Sequence, residues 1–374
     1  MSPKTILILG GYGSTGRLIA ESLLRETDCQ LVLAGRTLAR AQAAAAELGL
    51  RVSARRADAA EPASLDAAMT GAELVVVASS TAPFAATIAD AALRAGADYF
   101  DLQYSTDKLK VLMPLSDRIA AAGRRFITDG GFHPGLPAVM VRQVAPCFDT
   151  LERAVVGSVI QEDWASWDVG IGTMEELLNE FRDYQALEYR DGAWRGMNWL
   201  SAWKPVYMDF GPPFGRRACA PMFLEELRDL PALLPGLRET GFYVGGFNWF
   251  VDGLVMPLAL AGMRVAPNRL LRPLARLMGW GLKRFTRPPF GTLLRVEAAG
   301  LSGGQSHTLN MTVGHADGYA LTALAAVACL LQLFDGTISR PGLHLQAQAV
   351  DPDRMLRDLA RMGARVDMHE EVLR

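Results

Sequence analysis

The chain has 374 residues, long enough for about two domains, and 50% hydrophobic with 21% charged residues marks a folded globular protein rather than a disordered one. A formal net charge of −2, with no array of basic and aromatic side chains, excludes nucleic acid as an expected partner. Cys29, Cys147, Cys219 and Cys329 are scattered without a CxxC spacing, which argues against a metal site or a disulfide framework and for a reducing, cytoplasmic home.

The first predicted strand, Thr5 to Leu9, is an unbroken aliphatic run, the pattern of a strand buried on both faces in a parallel sheet. A single lysine precedes it and no small-residue cleavage site follows, so no secretory signal is expected, and no apolar run of about 18 residues is long enough to cross a bilayer. Glycines follow at once, and then apolar positions 19, 20, 23 and 24 at helical spacing. Gly11, Gly13 and Gly16, with Ser14 and Thr15 between them, fit the GxGxxG dinucleotide turn; Gly10, Gly13 and Gly16 fit the same turn equally well. Either reading sets a phosphate on the helix N-terminus, where free N–H groups and the helix dipole favour an anion.

The second strand, 30–35, ends in Gly35-Arg36-Thr37 where NAD-specific folds carry a carboxylate, and Arg40 lies one helical turn on. A guanidinium pairs with a 2′-phosphate that a carboxylate would repel, so NADP is the expected cofactor. A helix at 38–48, a third strand at 51–56 and a helix at 61–69 lead to a fourth strand at 73–78. By the rule that ligands sit beyond the carboxyl ends of parallel strands, Asp58 is expected near the adenine and Ser79, Ser80 and Thr81 near the nicotinamide ribose. Further strands at 98–102 and 125–128 flank helices at 85–95 and 107–122. Regular alternation and right-handed crossovers make this a doubly wound sheet. From about residue 150 the texture changes to tryptophan, proline and glycine, and the alternating stretches 154–160, 292–299 and 306–313 predict a mixed or antiparallel sheet. An apolar helix is expected from Tyr319 to Phe334 and a last helix at 352–362.

These motifs resemble the saccharopine dehydrogenase-like oxidoreductases: GGYGSTG at 10–16, LAGR at 33–36, YFDLQY at 99–104, GGFHPGLP at 130–137 and the block from Gly318 to Leu343. The resemblance implies an α/β chain with an N-terminal Rossmann domain (1–135), an α+β substrate and dimerisation domain (136–317), and C-terminal helices (318–374) returning to the first domain. It further implies a homodimer and hydride transfer with NADP(H) at a C=N or C–N bond of an amino-acid-derived substrate. Tyr104 matches a family tyrosine near nicotinamide and substrate. The family's Asp-Pro-Gly is His133-Pro134-Gly135 here, and a histidine suits a proton donor or a substrate without an ammonium group.

Tyr104 and His133 are therefore the candidate catalytic residues, each with a plain alternative as a packing or turn residue. The tryptophans at 164, 167, 199 and 203 read as core or interface, and Glu162, Asp163, Glu175 and Glu176 as solvated. One stretch points elsewhere: 269–287 sets six cations among leucines and a tryptophan, just after the apolar segment 253–262. Peripheral membrane contact through 253–287 would shift the expected substrate to a lipid-like C=C or C=O group. A basic solvated face over buried leucines is the alternative, and Pro273 with two glycines is expected to weaken a continuous helix. A non-enzymatic NADP-responsive binding module is the remaining functional reading.

Overall fold

Aliphatic runs that no polar residue interrupts become the buried strands of a parallel sheet. A computed structural model describes residues 3–103, 106–166, 171–180, 186–196 and 206–372. Tyr104 and the tryptophans at 167, 199 and 203 lie outside the described residues.

The chain divides into two units, the first made of 1–139 and 319–362. Its strands β1 (Thr5–Leu9), β2 (Gln30–Gly35), β3 (Val52–Arg56), β4 (Leu74–Val77), β5 (Asp98–Asp101) and β6 (Arg125–Thr128) alternate with helices. With a seventh strand, Gly342–Leu345, they run in the order Gly342–Leu345, β6, β5, β4, β1, β2, β3, every described pairing parallel. The order reverses between β1 and β4, because the connections from β1 wind one way and those from β4 the other. Ligands of such sheets bind outside the strand ends at this point. The helix Gly318–Phe334 is apolar on all sides and nearly all of it is buried, as that pattern requires. Arg125 of β6 donates to the carbonyls of Leu333 (3.4 Å) and Ile338 (3.2 Å), tying the end of that helix to the sheet.

The second unit comprises 140–318 and 363–374. Its sheet is mixed: Glu239–Gly245 runs parallel to Thr150–Gln161, which pairs antiparallel with Gly291–Ser302, and that strand pairs antiparallel with Gln305–His315. Helices Ile171–Glu180, Met256–Val265 and Pro267–Phe285 surround an apolar cluster that includes Met174, Val255, Ala259, Leu274, Ala275 and Met278. Trp164 belongs to the same cluster.

The structure departs from the sequence reading at three places. Residues 318–374 are not helices alone: Gly342–Leu345 extends the parallel sheet, and Arg365–Val372 pairs with Gln305–His315 in the second sheet. Four residues at Gly342–Leu345 carry too little pattern to stand out, and Arg365–Val372, RVDMHEEV, is mostly polar and charged. Pro267–Phe285 is one helix despite Pro273 and two glycines, since Pro273 lies on the exposed side while the opposite side packs in the core. Glu162 is not solvated: it is buried and accepts a hydrogen bond from the Gly318 N–H at 2.8 Å. Burial pushes its carboxyl up to about 7, with the Gly318 N–H pulling the other way.

Candidate active site

The glycine turn sits at the carboxyl end of β1, where the strand order reverses. Gly10 has φ +86°, and its N–H donates to Ala34 O at 2.8 Å, closing the turn against β2. A Cβ on Gly10 would lie 2.8 Å from Ser79 Cβ, so the turn after β1 and the turn after β4 are held in close contact. A Cβ on Gly11 would lie 2.8 Å from Leu33 Cδ2, and one on Gly16 would run into the Gly10 carbonyl and lie 2.9 Å from Gly11 Cα. Gly13 differs: its Cβ would meet only the Gly10 oxygen, at 3.2 Å. The protein's own packing barely demands glycine there. The helix that follows, Ser14–Glu26, has no capping side chain and no acidic residue in its first turn, so its N-terminus is left open to an anion.

Tyr12, which the sequence reading passed over, joins this turn to the end of β2. Its ring fills the place that a Cβ on Gly35 would take, and its hydroxyl accepts from the Thr37 N–H at 3.3 Å. The Arg40 guanidinium lies 5.0 Å from the centre of the same ring. Arg36 and Arg40 are exposed, and among the described residues neither has a carboxylate within ion-pair distance. Two guanidiniums without counter-ions at the end of β2 fit a 2′-phosphate. Asp58, after β3, accepts from the Ala60 N–H at 3.1 Å and so closes its own turn. In the turn after β4, Ser79 and Thr81 hydroxyls lie 3.3 Å apart, and Gln103 Nε2 donates to Ser79 O and, at 3.2 Å, to Thr81 Oγ1.

The ends of β5 and β6 are joined by a buried ion cluster. Lys108 Nζ lies 2.7 Å from Asp101 and 2.8 Å from Asp129 and also donates to Gln103 O. The second Asp101 oxygen accepts from Thr128 Oγ1 at 2.8 Å. Burial opposes the ammonium's charge, but the two carboxylates outweigh it and hold the Lys108 pKa above its usual value. Burial, with Asp101 adding to it, also drives the Tyr99 phenol well above its ordinary pKa, so it stays neutral. Lys108 was missed because a lysine in TDKLKVL reads as a solvated charge. The available signal was a pair of aspartates at the carboxyl ends of neighbouring parallel strands, which cannot both be buried without a cation.

The loop after β6 carries His133. Gly130 N–H donates to Asp101 O at 2.9 Å, and the buried Gln346 amide grips Gly131 twice, donating to its carbonyl at 2.8 Å and accepting from its N–H at 3.1 Å. His133 keeps partial exposure, but its crowded surroundings lower its pKa from 6.5 to about 4, by burial. Near pH 7 the ring is therefore neutral, with one N–H donor and one acceptor. Phe132 packs edge-on at 5.8 Å. The structure thus brings together the glycine turn, 79–81, Arg36, Thr37 and Arg40 around the end of β1, and ties the His133 loop beyond β6 to Gln346 through Gly131. No group of three or more His, Cys, Asp or Glu positioned to hold a metal occurs among the described residues.

Residues 6–127 match the family model described as the saccharopine dehydrogenase NADP binding domain. Over 99% of this chain and 100% of the other, the fold is similar to apo histidine-tagged saccharopine dehydrogenase (L-Glu forming) from Saccharomyces cerevisiae, with TM-score 0.73 at 15% identity. A C. glutamicum DAP dehydrogenase in complex with DAP aligns over 96% of this chain and 99% of its own, with 13% identity and TM-score 0.49. A Veillonella parvula short-chain dehydrogenase/reductase in complex with NADP aligns over 26% of this chain and 46% of its own, with 29% identity and TM-score 0.24. The glycine turn, the arginines at the end of β2 and the match over residues 6–127 agree on an NADP-binding domain of the saccharopine dehydrogenase type, in a chain whose fold is similar to that of saccharopine dehydrogenase.

Proposed function

We propose that the protein transfers hydride to or from a small amino-acid-derived substrate at a C=N or C–N bond. The carrying observation is the loop after β6, tied through Gly131 to Gln346, which carries a neutral histidine beyond the carboxyl ends of the same strands as the glycine turn. NADPH, when bound, supplies the hydride. Gly13 and the open end of helix Ser14–Glu26 take the pyrophosphate, and Arg36 and Arg40 take the 2′-phosphate. Ser79 and Thr81, held by Gln103, border the nicotinamide ribose. His133, uncharged at neutral pH, donates its N–H to the substrate or accepts a proton from it, orienting the reacting nitrogen rather than acting as a standing acid. Tyr104, next in sequence after Gln103, is the second candidate donor. A yeast saccharopine dehydrogenase of the same fold supports the substrate class.

The test is NADPH consumption by the purified chain against keto acids alone, amines alone and mixtures of both, with enoyl and simple carbonyl compounds in parallel. Turnover only where amine and carbonyl are present together is expected. Consumption driven equally well by an enoyl or carbonyl compound without amine would overturn the proposal and favour a lipid-like substrate.

A further inference from the structure

The second unit carries a surface that hydride transfer does not use. Between residues 253 and 290 the sequence has no aspartate or glutamate. Helix Pro267–Phe285 buries Leu274, Ala275, Met278 and Leu282 in the apolar cluster. Positions 269, 276, 280 and 283 share its opposite side by helical spacing, and there Arg269, Arg276, Trp280 and Lys283 are exposed, with Arg284 beside them. Arg272 lies 3.9 Å from Glu175. Among the described residues, Arg269, Arg276, Lys283, Arg284 and Arg287 have no carboxylate within 4.0 Å.

The neighbouring helix, Met256–Val265, buries Ala259 in the same cluster, together with Val255 from the turn before it. The outer side of this helix and of the turn before it shows Leu254, Leu258, Ala261 and Val265, an aliphatic stripe at intervals of four, three and four residues. Val265 is 84% exposed. The two helices pack side by side, with Leu270 and Leu274 of one against Gly262 of the other, so their outer sides are neighbours. Trp249, 71% exposed, stands at its edge with its ring 5.0 Å from Phe285, and Phe285 lies 5.4 Å from Trp280, itself 52% exposed. The sequence reading left two alternatives for 269–287, a segment lying on a membrane and a basic solvated face over buried leucines. In the fold Leu274 and Leu282 are core, as the second alternative has it, and most of the exposed apolar residues beside the cations come from 249–265.

We propose that this face docks on an anionic lipid bilayer, with Leu254, Leu258, Val265, Trp249 and Trp280 entering the interfacial layer and the five unpaired cations meeting headgroup phosphates. Cations without acids fit an anionic partner, and indoles beside aliphatic side chains fit the boundary between headgroups and acyl chains. A second copy fits poorly, because a two-fold contact would set these cations against their own equivalents. Nucleic acid would leave the aliphatic stripe uncovered. No helix among the described residues is long and apolar enough to cross a membrane, so the contact is peripheral. The inference does not depend on which bond the enzyme reduces.

The test is cosedimentation of the full chain with vesicles of phosphatidylcholine and phosphatidylglycerol in equal parts, and with vesicles of phosphatidylcholine alone. Binding to the anionic vesicles that weakens with added salt is expected. Arg276→Glu with Lys283→Glu should lower it at least about tenfold, and Leu258→Asp with Val265→Asp should lower it with every cation kept. Melting temperature and NADPH titration of each variant establish that it is folded. Quenching of tryptophan fluorescence by brominated lipid should fall in Trp249→Ser. Absence of binding by the folded wild type, or equal binding to both vesicles, overturns the proposal. So does a wild-type dimer that Arg276→Glu with Lys283→Glu converts to monomer in light scattering, which would make the face a contact between copies.

Discussion

Gly13 and Gly16 belong to one short motif, yet the structure gives them different duties, and alanine at each should separate folding from cofactor binding. A Cβ at Gly16 would run into the Gly10 carbonyl, with Gly11 Cα at 2.9 Å, all of it backbone that cannot step aside. Gly16→Ala must push the helix Ser14–Glu26 away from the turn, and overpacking of this kind costs about 1–3 kcal/mol. In a protein of 374 residues that is a fall in melting temperature of roughly 1–4 °C without any cofactor present. At Gly13 the sole close neighbour of a new Cβ is the Gly10 oxygen at 3.2 Å, a few tenths of an ångström to be absorbed. Gly13→Ala should therefore leave the apo melting temperature nearly unchanged. Its methyl group, however, occupies the path by which backbone approaches the pyrophosphate. Wild-type protein at a hundredfold excess of NADPH over its dissociation constant gains about 2.7 kcal/mol, and Gly13→Ala should lose most of that gain at the same concentration. Differential scanning fluorimetry with and without NADPH measures both effects on one plate. Retention of the full NADPH shift by Gly13→Ala would refute the assignment of the turn, whatever happens at Gly16.

Arg36→Ala should weaken NADP(H) by about 1.5–3 kcal/mol while changing NAD(H) little, and equal losses in titration calorimetry would make Arg36 structural. Lys108→Met leaves Asp101 and Asp129 buried without their cation and should cost about 3–5 kcal/mol, with the deficit shrinking as pH falls and the carboxylates protonate; an unchanged melting temperature at pH 7 would contradict the ion cluster. Glu162, with its carboxyl raised to about 7, binds its proton more tightly folded than unfolded, so the wild type loses stability as pH rises from the ordinary carboxyl range toward 7. Glu162→Gln removes that loss and should be the more stable protein at pH 8, by roughly 3 kcal/mol at most, with little difference below pH 5; a pH-independent difference would refute the raised pKa. His133→Ala should spare NADPH affinity and reduce turnover per folded molecule by roughly 10²–10⁴-fold if the imidazole moves a proton, whereas a lowered melting temperature with intact turnover would make it a turn residue.

Where a stretch of sequence carries its own periodicity, its structure could be read directly. Strands β1, β2 and β4 and the helix Gly318–Phe334 are mainly apolar runs, and nothing distant is needed to recognise them. The NADP reading was legible because the absence of a carboxylate at the end of β2 is itself local. Residues whose meaning lies in a remote partner were not. Lys108 is a charge in an amphipathic stretch until Asp101 and Asp129 close on it, and Gln346 is an unremarked amide until it meets Gly131 across 215 positions. Glu162 looked solvated because its burial depends on Gly318, 156 residues on. The stripe Leu254, Leu258, Val265 shows a limit of another kind. Periodicity reveals that a helix has an apolar side, not whether the fold covers it.

The grip of Gln346 on Gly131 places a demand on the order of synthesis. Residues 131 and 346 leave the ribosome far apart in time, with all of 140–318 emerging between them. The nascent N-terminal segment therefore emerges without its seventh strand, without Gln346 and without the apolar helix that belongs to its unit, and it exposes apolar surface until the last part of the chain arrives. Chains that stop before residue 346, through truncation or a premature stop codon, would carry every glycine of the cofactor turn and still lack the side chain that fixes the histidine loop.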